Sequence, residues 1–468
     1  GKAVLCTIGK IEKGRYKMNK LWKIMAAGTM ALSMAACSNS GSTGGSSGSS
    51  DALSGTYSIH VEGDDWGAAV DQVVIELNKE VEGVSKDTFT VSEHKQATDW
   101  TKEDTPVVEA DFDRVVEDAY TSDANGEKVD GPSKYVTLKL YTSPNDGSPF
   151  LYTMATSFNT WADPYELTFK VAEGKSLKAD GVEISDFTVT GKPASKTTEA
   201  DVFKASNFKS KDGYDINYSL FTPEKESKTL FVWLHGMGEG GAAQVEGTDW
   251  MVPVLANEVT EYSKEAFQTA VGGANVLVPQ APTYWMDTTG DASDSENRLN
   301  AADGTSAYTE SLHELIAKVK EETKSEKVVI AGCSNGGYMT VVMAMNYGDE
   351  YDGYVPICEA VPDDKITDEQ IQKMASLPMY FIWAENDPTV DPSTHEVPTV
   401  KRLKDAGGTD IQVATTADVQ DTSGRFKDDE GKPYQYSGHW SWVTFDNGEA
   451  VTNDTGVKAW DWIGEKVK

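Results

Sequence analysis

A short motif between a predicted strand and a predicted helix restricts the fold more than any other part of the sequence. Residues 327–331 form an apolar, β-branched run typical of a buried strand, and Gly332-Cys333-Ser334-Asn335-Gly336 follows at once. The Gly-x-Ser-x-Gly pattern at such a junction predicts a sharp turn that exposes a serine hydroxyl. Two glycines allow the strand and the helix to approach that turn without a Cβ clash. Ser334 is therefore the candidate nucleophile of an α/β domain.

Composition narrows the classes of partner and cofactor. The 468 residues carry a formal net charge of −33, which argues against nucleic acid as a partner because phosphate binding needs Lys and Arg. Four cysteines are too few for a disulfide framework, and no pair has the spacing of metal ligands, so we expect neither a metal nor a cofactor. Cys333 and Cys358 follow predicted neighbouring strands. They form either two buried thiols or a disulfide.

The N-terminal residues have the pattern of an export signal. We expect residues 1–36 to comprise an upstream segment and a signal peptide that starts at Met18, with a basic region and a short apolar region. The sequence Met34-Ala35-Ala36-Cys37 resembles the lipobox of bacterial lipoproteins. The resemblance implies that Cys37 is lipidated and anchors the protein outside the cytoplasm, at the cell membrane or cell surface. An ordinary signal peptide cleaved nearby is the alternative. Residues 37–50 are predicted to be a flexible Ser/Gly linker.

Residues 51–196 are predicted to form an all-β sandwich domain. Short runs of β-type composition, separated by turn residues, occur at residues 56–61, 70–77, 88–91, 135–141, 152–157, 167–171 and 187–189. The segment Val61-Glu62-Gly63-Asp64-Asp65-Trp66-Gly67 resembles the N-terminal Ig-like domain of certain bacterial secreted esterases. Trp66, Trp100 and Trp161 are interpreted as packing residues, with sugar binding as the alternative.

Residues 197–468 alternate between predicted strands and helices, which indicates a mostly parallel sheet. Predicted strands include residues 229–234, 275–278, 354–358, 379–383 and 411–415, and residues 306–322 and 456–467 have helical periodicity.

A nucleophilic serine needs a base and an acid that orients the base. We expect the acid to follow the strand that ends near residue 383, where Asp387 lies in a loop that Pro388 keeps from continuing as a helix. Glu385 and Asp391 are alternatives in the same loop.

His439 is the candidate base. It lies in a loop after the last predicted strand and before the final helix, where the chain order Ser, acid, His requires it. Of the six histidines, His235 precedes the serine in a glycine-rich loop, and His395 lies close to Asp387 in sequence.

Two backbone N–H groups should hold the oxyanion. One belongs to Asn335, directly after the serine, and the other to Gly236 or Met237 after the strand that ends at Leu234. Residues 235–241 lack the Lys and Ser/Thr of a P-loop, so phosphate binding is disfavoured.

Together these residues resemble the α/β-hydrolase superfamily. The motifs that carry a closer resemblance, to secreted polyhydroxybutyrate-depolymerase-like and feruloyl-esterase-like proteins, are Leu234-His235-Gly236, Tyr284-Trp285-Met286-Asp287, residues 332–339 and residues 356–360. The resemblance implies an α/β-hydrolase fold and a carboxylic-ester hydrolase that works through an acyl-enzyme, with Ser334, Asp387 and His439 as its triad. In Ig-bearing relatives the extra domain is linked to assembly, which suggests a homo-oligomer.

The substrate is less constrained by the sequence. Trp285, Trp440 and Trp442 either line an acyl or phenolic pocket or belong to the core, and the polar stretch 285–307 is expected to overhang the site. We expect short-chain or aromatic esters of the acetyl or feruloyl type, free or linked to polysaccharide. The alternatives are a serine peptidase of the prolyl-oligopeptidase type, for which the first 196 residues are too short to form a propeller, and a non-catalytic surface binding lipoprotein.

Overall fold

The computed structural model describes residues 52–293 and 302–468. The predicted signal peptide, Cys37 and the Ser/Gly linker lie outside the described residues, as does the middle of the stretch 285–307. Within the two described ranges, no helix has the length and apolar character needed to cross a membrane.

The N-terminal part is a sandwich of two β-sheets. Its strands are β1 (Gly55–Asp64), β2 (Gly67–Glu82), β3 (Phe89–Thr98), β4 (Val107–Arg114), β5 (Val116–Ser122), β6 (Ser133–Leu140), β7 (Phe150–Tyr152), β8 (Asn159–Trp161), β9 (Tyr165–Val171), β10 (Leu177–Ala179), β11 (Val182–Ile184), β12 (Thr188–Gly191) and β13 (Ser195–Thr198). One sheet has β1 and β2 at its centre, and the other has the order β12-β9-β3-β4. The inward side chains meet between the sheets, as when Tyr57 packs edge-on against Phe169 at 5.0 Å.

Two parts of the sandwich differ from the prediction, its C-terminal boundary and the region around β7. β13 pairs in parallel with β1 and extends two residues past the expected boundary at residue 196. The prediction of a strand over residues 152–157 is wrong, because β7 ends at Tyr152 and the chain turns over residues 153–158 before it enters β8. Two threonines bond the backbone of this turn: the Thr153 hydroxyl accepts the Thr156 N–H and the Thr156 hydroxyl accepts the Phe158 N–H, which competes with strand pairing.

The C-terminal part contains a mostly parallel sheet. Its strands are β14 (Lys204–Lys209), β15 (Asp215–Phe221), β16 (Thr229–Leu234), β17 (Asn275–Gln280), β18 (Lys327–Cys333), β19 (Gly353–Ile357), β20 (Met379–Ala384) and β21 (Ile411–Thr416), followed by a small ribbon of β22 (Val419–Gln420) and β23 (Gln435–Tyr436). The order is β14-β15-β17-β16-β18-β19-β20-β21, and the pairs from β17 to β21 are parallel.

Helices cover both faces of this sheet. They are α1 (Val252–Leu255), α2 (Glu265–Val271), α3 (Thr309–Glu322), α4 (Asn335–Tyr347), α5 (Asp368–Met374), α6 (Glu396–Asp405), α7 (Trp442–Asp446) and α8 (Ala459–Lys466). The central strands are buried along their whole length, which explains their continuous apolar composition. Because β16, β18 and β20 are parallel, their carboxyl ends meet at one edge of the sheet, and the candidate functional residues follow those ends.

Candidate active site

Ser334 lies in a sharp turn between two positions, 332 and 336, where only glycine fits. Its φ is +55°, the left-handed region that a side chain rarely adopts, and its N–H donates to the Ile357 carbonyl at 2.9 Å. A Cβ added at Gly336 would overlap the Leu234 carbonyl oxygen, and one added at Gly332 would lie 2.8 Å from the Leu234 Cβ. The two glycines of the motif therefore allow α4 to begin against the end of β16, which leaves Ser334 partly exposed among buried neighbours.

His439 lies within hydrogen-bond distance of the Ser334 hydroxyl. Its Nε2 is 2.8 Å from Ser334 Oγ, and its Nδ1 is 2.9 Å from Asp387 Oδ2. Because the carboxylate can only accept, the ring carries its proton on Nδ1 and leaves the Nε2 lone pair free to accept from the serine. Along the chain, Ser334 lies 105 residues before His439 and Asp387 lies 52 residues before it. The three side chains nevertheless meet in space.

Asp387 is held in place by its own loop. Its side chain is fully buried, and its Oδ1 accepts the backbone N–H groups of Thr389 at 2.8 Å and Val390 at 3.0 Å. The two alternative acids do not reach the histidine: Glu385 is exposed, and Asp391 accepts the Ser393 N–H at the start of a 3₁₀ turn. The carboxylate that orients His439 is thus fixed by two backbone donors before any substrate arrives.

The loop that carries His439 packs tightly against the loop of the acid. A Cβ added at Gly438 would overlap Asn386, so only glycine lets the two loops come this close. Trp442 stands edge-on to the His439 ring at 5.6 Å, and Trp440 stacks on Tyr436 at 5.5 Å. Trp440 and Trp442 are both half-buried, so they flank the site.

The expected oxyanion donors lie next to the serine. Gly236 and Met237 follow the end of β16, and Asn335 begins α4. Among the described residues, none accepts a hydrogen bond from the backbone N–H of Gly236, Met237 or Asn335. These N–H groups are therefore available to a ligand, which is the state required for stabilising negative charge.

The buried His235 ring holds the start of this loop by hydrogen bonds. It is fully buried, its Nε2 accepts the Ala281 N–H at 2.9 Å, and its Nδ1 consequently donates to the Gly236 carbonyl. Burial lowers the pKa of His235 to about 4, so the ring stays neutral and keeps this tautomer.

One of the three tryptophan candidates does not line a pocket. Trp285 is 0% exposed and packs against His235 and Tyr308 in the core beneath the site. Its neighbour Met286 is tied to the site instead, because the Met286 N–H donates to the Asn335 side-chain oxygen at 3.3 Å. The core alternative is therefore correct for Trp285.

Three buried carboxyl groups lie around the site, and no local sequence pattern indicated them. Burial raises the pKa of Glu239 to about 7 and that of Glu359 to about 8, and it raises the pKa of Glu396 well above its ordinary value. Glu239 has one amide partner, Asn257 Nδ2 at 2.9 Å, and Glu359 accepts the Val361 N–H at 2.8 Å. Within the described ranges neither oxygen of Glu396 has a hydrogen-bond partner.

Cys333 and Cys358 are two free, buried thiols, so the disulfide alternative is wrong. Burial raises the pKa of both thiols, which keeps them protonated and unreactive. The described part of the chain contains no group of three His, Cys, Asp or Glu side chains placed to hold a metal ion.

Two family models match the chain. Residues 56–181 match the esterase Ig-like N-terminal domain, and residues 217–424 match the phospholipase/carboxylesterase family. The second match includes Ser334 and Asp387 and ends before His439. No curated protein sequence matches.

The solved structures that resemble this chain include several esterases. The crystal structure of a thermostable esterase superposes with a TM-score of 0.61 at 22% identity, over 84% of this chain and 96% of that one. A ferulic acid esterase has a TM-score of 0.36 at 14% identity, over 52% of this chain and 94% of its own. A highly thermostable carboxyl esterase from Bacillus coagulans has a TM-score of 0.33 at 13% identity, over 46% of this chain and 90% of its own. The first of these likenesses and the family matches confirm the predicted fold class.

Proposed function

We propose that this chain, which joins an esterase Ig-like domain to an α/β-hydrolase domain of the phospholipase/carboxylesterase type, is a serine carboxylesterase. The observation that carries the proposal is the continuous contact from Ser334 Oγ through the His439 ring to the buried Asp387 carboxylate. A serine hydroxyl is a weak nucleophile until a base of this kind removes its proton.

The proposed reaction has two steps. Ser334 Oγ attacks the ester carbonyl carbon while its proton moves to His439 Nε2, and Asp387 stabilises the imidazolium that results. The oxygen that gains negative charge accepts hydrogen bonds from the Met237 and Asn335 N–H groups. Collapse of this intermediate breaks the ester C–O bond, and the departing alcohol takes the proton from His439. Water then attacks the acyl-enzyme by the same route, which releases the carboxylic acid and restores Ser334.

The proposed substrates are short-chain or aromatic esters, of the acetyl or feruloyl type. Half-buried Trp442 supports this class because it places flat apolar surface beside His439, and half-buried Trp440 stacks on Trp442 at 6.0 Å. A panel of acetyl, butyryl and feruloyl esters, free and linked to polysaccharide, tests it. Preference for long acyl chains, or cleavage of peptide amides at a comparable rate, would contradict it.

Replacement of the serine tests the activity itself. Ser334→Ala should lower kcat for p-nitrophenyl acetate by roughly 10⁶-fold, because the acyl-enzyme cannot form. It should also abolish labelling by a fluorophosphonate, while Ser376→Ala, at an exposed serine, leaves both unchanged. Retained hydrolysis in Ser334→Ala, or a wild-type protein that hydrolyses no ester and takes no label, would refute the proposal.

We further propose that Cys37 is lipidated and that the enzyme acts outside the cytoplasm while attached to the membrane. The lipobox-like sequence that ends at Cys37 supports this location. In a bacterial host, Cys37→Ala should move the protein from the membrane fraction to the soluble fraction, whereas Cys6→Ala should not. An unchanged distribution of Cys37→Ala would exclude the anchor.

A further inference from the structure

A hairpin of the Ig-like domain contacts the loop that carries the proposed oxyanion donor. The hairpin consists of β7, β8 and the turn between them, residues 150–161, and it pairs with neither main sheet of the sandwich. The oxyanion loop, residues 235–241, contains four glycines. Because glycine restricts the backbone least, such a loop keeps one conformation only where its surroundings impose it.

Phe158, in the turn of the hairpin, fills the space beside the end of this loop. Its side chain is 2% exposed, and a Cβ added at Gly241 would lie 2.8 Å from the phenyl ring. The ring also stacks on Tyr284 at 4.8 Å, and the Tyr284 hydroxyl donates to the Thr156 carbonyl at 2.8 Å. Phe158 is therefore buried in the hydrolase domain although it belongs to the other domain.

Asn159 and Tyr152 contact the middle of the oxyanion loop. Asn159 Nδ2 donates to the Gly238 carbonyl at 3.4 Å, and a Cβ added at Gly238 would lie 2.9 Å from that nitrogen. The same Cβ would lie 3.7 Å from the ring of Tyr152. The hydrogen bond restrains the peptide unit between Gly238 and Glu239, two peptide units after the one that carries the Met237 N–H.

The base of the hairpin is fixed separately. The Trp161 N–H donates to the Gly247 carbonyl at 2.7 Å, and its indole Nε1 donates to Asp249 Oδ2 at 3.0 Å. Lys196 Nζ lies 3.5 Å from the centre of the Trp161 ring, close enough for a cation–π contact. The turn of the hairpin therefore contacts the oxyanion loop, and the base of the hairpin is bonded separately to the hydrolase domain.

We propose that Phe158 and Asn159 are positioning residues, which hold the oxyanion loop so that the Met237 N–H faces the substrate carbonyl. The inference rests on the proposed function of Ser334. Preorganised donors contribute to catalysis only when they are fixed before charge develops, and loss of one donor in other serine hydrolases costs about 10²–10³ in kcat. A loop that the hairpin no longer holds keeps its N–H donor but samples other orientations. We therefore expect a smaller loss in kcat than removal of the donor would cause.

Phe158→Ala and Asn159→Ala in the full chain test this role. We expect kcat for p-nitrophenyl acetate to fall about tenfold or more in Phe158→Ala, with KM changed less than about twofold, and Phe158→Leu to lie between Phe158→Ala and wild type. Affinity for an aryl trifluoromethyl ketone, whose adduct with Ser334 places an oxyanion in the hole, should fall in parallel with kcat. Loss of fold alone would lower the active fraction and leave the inhibition constant unchanged.

A pair of substitutions tests the contact directly. Gly238→Ala should lower kcat because the new methyl group meets the Asn159 amide, and adding Asn159→Ala should restore part of the loss. Trp161→Phe removes the bond to Asp249 and part of the ring that Lys196 and Phe150 contact at the base, and leaves Phe158 and Asn159 in place. It is the control and should keep kcat within about twofold.

Wild-type kcat and inhibitor affinity in both Phe158→Ala and Asn159→Ala would overturn the positioning role. An equal loss in Trp161→Phe would also overturn it, since docking in general would then be responsible. Either result is distinct from failure of the esterase proposal, because the wild-type enzyme would still be active and labelled at Ser334.

Discussion

Glu359 and Glu396 are buried acids at the side of α4 and at the start of α6, close to the catalytic loops. Burial is the largest cause of the raised pKa of both groups. The negative charge of Glu359 raises the pKa of Glu396 further. A carboxyl group that binds its proton more tightly in the folded state than in the unfolded state weakens folding as the pH rises between its two pKa values. For Glu359 that window runs from its ordinary value of 4.5 to about 8.

Glu359→Gln should therefore stabilise the protein selectively at alkaline pH. The amide oxygen can still accept the Val361 N–H, and no charge is buried above neutral pH. We expect the free energy of unfolding to rise by at least about 1 kcal/mol at pH 9 and to change little at pH 5, measured by urea denaturation. Glu385→Gln, at an exposed glutamate, should show no such dependence. A gain that is equal at both pH values would contradict the explanation.

Single residues also show how far the sequence could predict the site. Ser334 and His439 were identifiable because the glycine motif and the order of residues along the chain are local properties. Asp387 was predicted from its loop, but the sequence could not exclude Glu385 and Asp391, because the choice depends on which carboxylate the loop turns inward. That choice is made by the backbone donors of residues 389 and 390, which no spacing rule reveals.

At the scale of elements, the turn between β1 and β2 joins the Ig-like domain to the segment that carries His439. Asp65 Oδ1 accepts from Asn447 Nδ2 at 2.8 Å, and its Oδ2 accepts from the Tyr436 hydroxyl at 3.3 Å. Trp66 packs edge-on against Phe426 at 5.7 Å and joins the cluster around Tyr436. The turn therefore supports the histidine loop much as the hairpin supports the oxyanion loop.

Trp66→Ala should lower the free energy of unfolding more than Trp100→Ala does. Loss of a partly buried indole should lower the free energy of unfolding by about 2–3 kcal/mol and reduce kcat by loosening the loop of His439. Trp100 is 48% exposed, so Trp100→Ala should stay within about 0.5 kcal/mol of wild type. Denaturant titration and steady-state kinetics measure both, and equal stability losses would show that the turn does not support the loop.

Elements with strong apolar patterns were predictable, and weakly patterned ones were not. The buried strands β16, β18 and β20 were evident from composition. β4 was missed because it is an edge strand whose residues alternate between exposed and half-buried positions, so it lacks a clear apolar face. The docking of the hairpin was also invisible, because Phe158 meets a glycine more than eighty residues later in the sequence.

At the scale of the whole molecule, one of the hydrophobic clusters is continuous across the two domains. A single cluster of buried side chains includes Val61 and Val70 of the sandwich together with Trp233, Val254 and Phe445 of the hydrolase domain. Arg425 adds polar contacts across the boundary, to Asp64 Oδ1 and Glu62 Oε1, both at 3.2 Å. The Ig-like domain is thus part of the structure that holds the active site, and the two domains should unfold together.

The bond between Asp65 and Asn447 joins residues 382 positions apart, so the histidine loop meets its support only after residue 447 has been made. Contacts of such long separation form late, because closing a long loop carries an entropic cost before any contact compensates it. Ester hydrolysis should consequently return more slowly than far-ultraviolet circular dichroism when the denatured chain is diluted into buffer. Simultaneous recovery of the two signals would show that the catalytic loops assemble without the first domain. A freshly synthesised copy, on this view, stays inactive until the segment from His439 to Asn447 has emerged from the ribosome and met the first domain.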